Sequence, residues 1–121
     1  MKVFVAEDAP EVRKRLVAMV RAIPGLVVVG EAESVRGAVD GTLSSVADVL
    51  LLDLQLADGS GLDVLAEVKL QRPTLRVIVL TNFATQQFRQ ASLAAGSDVF
   101  LDKSQEFGRV PVTLRAWLDG P

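Results

Sequence analysis

Five short apolar segments alternate along the chain with five segments of helical periodicity. The apolar segments are Val3–Ala6, Leu26–Val29, Val49–Leu52, Val77–Leu80 and Val99–Leu101. They lack the apolar–polar alternation of half-exposed strands and are typical of strands buried on both faces of a parallel sheet. Strict alternation of strands with helices predicts an α/β fold, in which a doubly wound parallel sheet carries helices on both faces.

The helical segments have recognisable boundaries. Their apolar faces run over residues 12–23, 35–46, 62–68, 88–95 and 110–118. Ser34 is suited to cap the second helix, and Gly96 is suited to end the fourth. Gly37 and Gly41 lower the helix propensity of the second segment, so we expect it to be the least stable helix. The fifth helix should begin near Val110, because the proline that follows is tolerated only in the first turn of a helix.

Length and composition exclude several classes of protein. The 121 residues are enough for one domain, placed at residues 1–121, and half of them are hydrophobic, as in a globular protein. The net charge of −2 offers no basic excess for nucleic acid. No apolar run approaches the ~18–20 residues of a membrane span, and no signal peptide is recognisable, so we expect a cytoplasmic protein.

The chain contains neither cysteine nor histidine. This excludes disulfides, zinc sites built from these residues, Ser-His-Asp triads and Cys-His pairs. Carboxylates, hydroxyls, amides, lysine and arginine remain available for chemistry. A bound metal should therefore be a hard cation held by oxygen atoms, such as Mg²⁺, Mn²⁺ or Ca²⁺.

Polar residues follow four of the five predicted strands at their carboxyl ends, where ligand sites of open α/β sheets lie. Glu7 and Asp8 follow the first strand, Asp53 the third, Thr81 the fourth and Lys103 the fifth. In the order 2-1-3-4-5 the first and third strands are neighbours, so the three acids should converge. Two carboxylates ~4 Å apart repel by ~4 kcal/mol at an effective dielectric constant of ~20. One lysine cannot balance three acids, which predicts a divalent cation, with Mg²⁺ the best match.

Each of these residues alone has an ordinary structural explanation. Asp8 could cap the first helix, and Asp53 could be a turn residue. Thr81 could be an ordinary strand residue, and Lys103 a solvated surface charge. Their coincidence at four strand ends favours a functional site. The basic run 13–15 is interpreted as the solvated face of the first helix, with a partner surface as the second interpretation.

The combined pattern resembles the receiver domain of bacterial two-component response regulators, over essentially the whole chain. The resemblance implies a flavodoxin-like (βα)5 sandwich with the strand order 2-1-3-4-5. The segments DLQLADGSGLDVL and FLDKSQEF are most similar to receivers of the nitrate-responsive, helix-turn-helix-bearing subfamily, although no DNA-binding segment follows in these 121 residues. The matching positions are the acid pair Glu7-Asp8, the phosphoacceptor Asp53, the hydroxyl residue Thr81, the lysine Lys103 and the aromatic switch residue Phe100.

The resemblance also implies a function for these positions. Asp53 would accept a phosphoryl group from the phosphohistidine of a histidine kinase or phosphotransfer protein. Mg²⁺, or Mn²⁺ in its place, would be held by Asp8, Asp53 and the backbone carbonyl of Gln55, with Glu7 reaching it through water. Thr81 and Lys103 would contact the phosphoryl oxygens. The chain would catalyse its own phosphotransfer and dephosphorylation without being a conventional enzyme.

Signal output would depend on a conformational switch at Thr81 and Phe100, read by an unknown output partner or effector domain. Three residues depart from the family pattern. Ala57 replaces a frequent proline and is expected to loosen its loop. Asn82 replaces a small residue and is expected to crowd the phosphoryl pocket, and Ser104 replaces a proline that is often cis, so no cis bond is expected.

Other function classes remain open at this point. A receiver-like interaction module that works without phosphorylation is the main alternative, although the complete set of acids argues against it. An aspartyl-phosphate phosphatase would need a second acid where Gln55 stands. A flavin-binding domain is disfavoured, because Glu7 and Asp8 would repel the cofactor phosphate.

Overall fold

All five predicted strands and all five predicted helices are present in the computed structural model, which describes residues 1–120. Strands β1–β5 span Lys2–Ala6, Val27–Ala32, Val49–Leu52, Arg76–Thr81 and Val99–Asp102. Helices α1–α5 span Pro10–Arg21, Val35–Ser44, Gly61–Gln71, Gln86–Ala94 and Arg109–Asp119. A hairpin of Gln55–Leu56 with Gly59–Ser60 lies outside the main sheet. The last residue of the predicted domain, Pro121, lies outside the described residues.

The main sheet is parallel and has the order β2-β1-β3-β4-β5. Alternate residues of its central strands face two separate cores. Leu50 and Leu52 face α2 and α3, whereas Leu51 faces α1 and α5. The flavodoxin-like, doubly wound (βα)5 fold predicted from the sequence is therefore confirmed. No helix within residues 1–120 combines the length and the hydropathy that crossing a membrane requires.

Strand β2 differs from its prediction in both extent and burial. It runs to Ala32, three residues beyond the predicted end, and Val27 at its start is 58% exposed. The expectation that every strand is buried on both faces is wrong here, because β2 is an edge strand whose only sheet neighbour is β1. The extension places Glu31 and Ala32 beside the end of β1, close to the predicted site.

The ring of Phe4 leaves no room for a side chain at two glycine positions. A Cβ atom built at Gly30 or at Gly41 would lie 2.5 Å from this ring, far inside van der Waals contact. Gly41 therefore allows α2 to pack closely over β1, a role the sequence does not reveal. Whether α2 is the least stable helix stays a prediction.

Helix ends were predicted well in three cases and wrongly in one. Ser34 caps α2 by accepting a bond from the Gly37 N–H at 3.0 Å, and α5 begins at Arg109, as expected. Gly96 follows α4 in the left-handed conformation, with φ of 106°. Val46 was assigned to the apolar face of α2 but lies beyond it, 55% exposed and with φ of 53°. It occupies the position after the C-cap, which usually holds glycine, because the chain must reverse there into β3.

Helix α4 packs more lightly than its pattern indicates. Phe88 and Ala91, assigned to its buried face, are exposed, and Ser92 is its only fully buried residue. The hydroxyl of Ser92 has no hydrogen-bond partner among the described residues. Thus α4 is attached through a small, partly polar contact rather than an apolar stripe.

Candidate functional site

The two buried acids lie side by side because the parallel ladders extend past the ends of the strands. The Asp53 N–H donates to the Ala6 carbonyl at 3.0 Å, and the Glu7 N–H donates to the Ala32 carbonyl at 2.9 Å. These bonds fix the residues that follow β3 and β1 at the same edge of the sheet. Glu7 is 1% exposed and Asp53 is 6% exposed, so both carboxylates have lost most of their water.

Lys103 binds both carboxylates. Its Nζ lies 2.6 Å from Glu7 Oε1 and 2.8 Å from Asp53 Oδ2, and its side chain is 9% exposed. The lysine is positioned through its backbone, because its N–H donates to the Thr81 carbonyl at 2.9 Å. One ammonium group therefore connects the carboxyl ends of β1, β3 and β5.

Burial and pairing together set the protonation of this group of residues. Burial raises the pKa of the Glu7 carboxyl, and the hydrogen bonds it accepts from Lys103 and from the Ala9 N–H only partly offset that effect. Burial alone would lower the pKa of Lys103, but the bonds to Asp53 and Glu7 outweigh it and leave this pKa raised. The lysine is thus held in its charged form, while the buried acids remain short of positive charge.

The acids can hold a metal ion. Glu7, Asp8 and Asp53 each offer a carboxylate oxygen, and these oxygens lie within 4.8 Å of one another. Three oxygen donors beside one ammonium match a hard divalent cation such as Mg²⁺. Asp8 is not the cap of α1, as its ordinary explanation required: the N-cap is Ala9, with no side-chain capping bond.

The backbone of Gln55 contributes a hydrogen-bond donor to the site. Its N–H donates to Asp53 Oδ1 at 3.2 Å, so the two oxygens of Asp53 bond to different groups. Its carbonyl as a metal ligand stays a prediction. The loop beyond it is held without proline: the Ala57 N–H donates to the Glu33 carbonyl at 2.9 Å, and Asp58 Oδ1 accepts from the Val35 N–H at 2.7 Å.

Thr81 and Phe100 lie near the acids but are not bonded to them. Thr81 is fully buried, and its hydroxyl accepts the Phe83 N–H at 3.2 Å. Phe100 already points into the core, 4% exposed, with the Arg89 guanidinium 4.8 Å from its ring centroid. The conformational switch expected at Thr81 and Phe100 stays a prediction. Asn82 is exposed beside Thr81, and its expected crowding of a phosphoryl group also stays a prediction.

The turn after Lys103 is stabilised by a side chain and contains no proline. Asp102 Oδ1 accepts bonds from the Ser104 hydroxyl at 2.7 Å and the Ser104 N–H at 2.9 Å, and these bonds lower the pKa of Asp102. All described peptide bonds are trans, as predicted for residue 104. The turn therefore orients Lys103 without proline.

Sequence reasoning missed the contacts of three arginines, because their partners are distant in sequence or are backbone atoms. Arg13, assigned to a solvated face, is only 20% exposed and donates to the Glu7 carbonyl at 2.7 Å. Arg15 lies over the Phe107 ring at 4.2 Å. Arg89, over Phe100, was not singled out at all. Of the basic run, Lys14 and Arg15 are exposed and fit the predicted solvated face, whereas Arg13 does not.

Comparison with known proteins agrees with this geometry. The family model described as the response regulator receiver domain matches residues 3–115. This chain belongs to that family. The assignment made from the strand-end residues is therefore confirmed, and receivers of this family act in two-component systems.

Individual relatives match over most of this receiver. The DNA-binding transcriptional activator DevR/DosR of Mycobacterium tuberculosis is 34% identical over 103 residues, which cover 85% of this chain and 48% of the relative. A protein-glutamate methylesterase/protein-glutamine glutaminase of Myxococcus xanthus is 35% identical over 104 residues, covering 85% of this chain and 30% of the relative. The chain thus spans half or less of the length of these two relatives.

Solved structures show the same fold. The isolated receiver domain of RcsB from Salmonella enterica serovar Typhimurium, determined in the presence of the phosphomimetic BeF3⁻, is 27% identical with a TM-score of 0.89. The match covers 99% of this chain and 89% of that one.

Gly61, at the start of α3, should be essential for the geometry of the Asp53 loop. A Cβ atom there would lie 2.2 Å from the Asp53 carbonyl oxygen, which is backbone and cannot move aside alone. We expect Gly61→Ala to lower the free energy of unfolding by about 1–3 kcal/mol in urea denaturation. Gly108→Ala is the control, because no atom lies within 4 Å of its added Cβ. Equal stability of the two variants would contradict this account of the loop.

Proposed function

We propose that this receiver accepts a phosphoryl group on the Asp53 carboxylate, from the phosphohistidine of a histidine kinase or phosphotransfer protein. The observation that carries the proposal is the environment of Asp53. This acid is buried at a strand end, one oxygen accepts from Lys103 and the other from the Gln55 N–H. A buried acid that is oriented by two donors and adjoins two further acids is suited to nucleophilic chemistry rather than to a turn.

In the proposed reaction an oxygen of Asp53 attacks the phosphorus atom. The bond from phosphorus to the imidazole nitrogen breaks, its electron pair stays on the imidazole, and an acyl phosphate forms on Asp53. Asp8, Asp53 and the backbone carbonyl of Gln55 would hold Mg²⁺, with Glu7 reaching it through water, and the ion would supply charge neutralisation for the nucleophile and the phosphoryl oxygens. The Lys103 ammonium is close enough to Asp53 to contact a phosphoryl oxygen directly. The Thr81 hydroxyl accepts one bond and so keeps its proton for donation.

Two other functions fit the site less well. A phosphorylation-independent interaction module would not require three converging acids and a buried lysine. An aspartyl-phosphate phosphatase would need an acid at Gln55, whose amide side chain is exposed. We therefore propose a signalling receiver rather than a conventional enzyme. Its output passes to a partner protein or an attached effector, and the net charge of −2 gives no support for nucleic-acid binding by this chain itself. The cytoplasmic location stays a prediction.

Phosphorylation can be tested by intact mass. With a small-molecule phosphodonor and Mg²⁺, the wild-type chain should gain one phosphoryl group, and chelation of Mg²⁺ should suppress the gain. Asp53→Asn should remain unmodified, because an amide is a poor nucleophile. Asp63→Asn is the control, since Asp63 is an exposed acid at the start of α3. An adduct that persists in Asp53→Asn, or none in the wild type, refutes the proposal.

The proposed output is a shift between two packings near Thr81 and Phe100. A phosphoryl group that accepts a hydrogen bond from the Thr81 hydroxyl would favour one packing of β4, β5 and α4, which is a population shift. The lightly packed α4, with Arg89 bridging to Phe100, is the element best suited to respond. On this proposal phosphorylation changes the population of the inward position of Phe100 without changing the fold.

A phosphate mimic tests this coupling. We expect beryllofluoride with Mg²⁺ to shift amide NMR signals over residues 81–107 as well as around Asp53. In Thr81→Ala the shifts at β5 and α4 should be lost while those next to Asp53 remain. Shifts confined to the Asp53 loop in the wild type, or distant shifts that survive in Thr81→Ala, would refute the coupling.

A further inference from the structure

We propose that Arg13 is a positioning residue for the acid pair, and that it sets the affinity of this receiver for Mg²⁺. The inference rests on the proposed metal-dependent function and extends it to a residue outside the acid cluster. Arg13 belongs to α1, and its guanidinium is directed back toward the end of β1. Its side chain is 20% exposed, whereas the neighbouring Lys14 is fully on the surface side of the helix.

The guanidinium holds the peptide bond between the two acids. Arg13 Nη1 donates to the Glu7 carbonyl at 2.7 Å, and that carbonyl shares one planar peptide unit with the N–H of Asp8. The N–H of Glu7 is bonded on the other side to the Ala32 carbonyl. Residue 7 is therefore fixed at both its backbone groups, and the direction in which the chain enters Asp8 is fixed with it.

The same guanidinium is anchored to the edge strand. Arg13 Nε lies 3.4 Å from Glu31 Oε1, and Nη1 lies 3.9 Å from Glu33 Oε2. These acids and Arg13 line a cleft of about 320 Å³ next to the end of β2. Two partly exposed carboxylates therefore pair with the guanidinium in addition to the Glu7 carbonyl.

Two side chains hold the backbone at the start of α1: Glu7 Oε2 accepts from the Ala9 N–H at 3.1 Å, and Arg13 Nη1 donates to the Glu7 carbonyl at 2.7 Å. The N-cap is Ala9, with no side-chain capping bond, and Asp8 is left free to serve the acid cluster. A helix start without a cap would leave the acid-bearing turn poorly fixed. Arg13 is the side chain that binds the Glu7 carbonyl, from one turn further along the helix.

Charge and positioning predict opposite effects on Mg²⁺ binding, which makes the inference testable. Removing a positive charge near a cation site should by Coulomb's law strengthen binding. Removing a group that orients metal ligands typically weakens metal affinity ~10–100-fold. We therefore expect Arg13→Gln to bind Mg²⁺ about tenfold more weakly than the wild type. Lys14→Gln, with the same charge change on the exposed side of α1, should bind at least as tightly as the wild type.

The experiment is a Mg²⁺ titration followed by the amide NMR shifts of Glu7, Asp8 and Asp53, without any phosphodonor. Arg13→Lys keeps the charge but loses the forked geometry, so its affinity should also fall. If Arg13→Gln does not fold, the Mg²⁺ affinity of Arg13→Lys tests the inference in its place. Mg²⁺ affinity of the folded Arg13 variant equal to or above that of Lys14→Gln would overturn the inference. Failure of the wild type to bind Mg²⁺ would instead overturn the proposed function.

Discussion

The ammonium of Lys103, lying between two buried carboxylates, is the interaction on which the site depends. It connects the ends of three strands, because Glu7 follows β1, Asp53 follows β3 and the lysine itself follows β5. Burying such charges is unfavourable unless they are paired, and removing one partner leaves an uncompensated charge in the interior. The strand order brings these groups together. The hydrogen bond from the Lys103 N–H to the Thr81 carbonyl fixes the position of Lys103 at the end of the strands.

The balance of charge at this point also explains why the site is suited to chemistry. Lys103 pairs with Glu7 and Asp53, and Asp8 adds a third carboxylate to the cluster, so negative charge exceeds positive charge among these four groups. Burial raises the pKa of the Glu7 carboxyl, and the hydrogen bond from Lys103 only partly offsets that effect. A divalent cation and a phosphoryl group are complementary additions: the first balances the acids, and the second brings new oxygens within reach of Lys103.

The sequence predicted the parallel sheet and the strand-end residues, because short apolar segments followed by polar residues are typical of buried parallel strands. The resemblance to receiver domains implied the strand order. The sequence did not predict features that depend on distant partners. Gly41 is explained only by the Phe4 ring, and the extension of β2 only by its pairing with β1. Arg13 looked like a surface charge because its main partner is a backbone carbonyl. Val46 fitted a helical pattern, but local periodicity does not show where the chain must reverse.

The measurement that tests this account most directly is the Mg²⁺ affinity of Lys103→Met, determined by calorimetry. If Lys103 and the cation share the same acids, removing the ammonium should tighten Mg²⁺ binding by roughly tenfold, since the cation no longer competes with a neighbouring positive charge. Lys69→Met is the matched control, because Lys69 is a partly buried lysine paired with Asp98 at 3.2 Å, away from the acids. Its affinity should equal that of the wild type. An unchanged or weaker affinity in Lys103→Met would contradict the account.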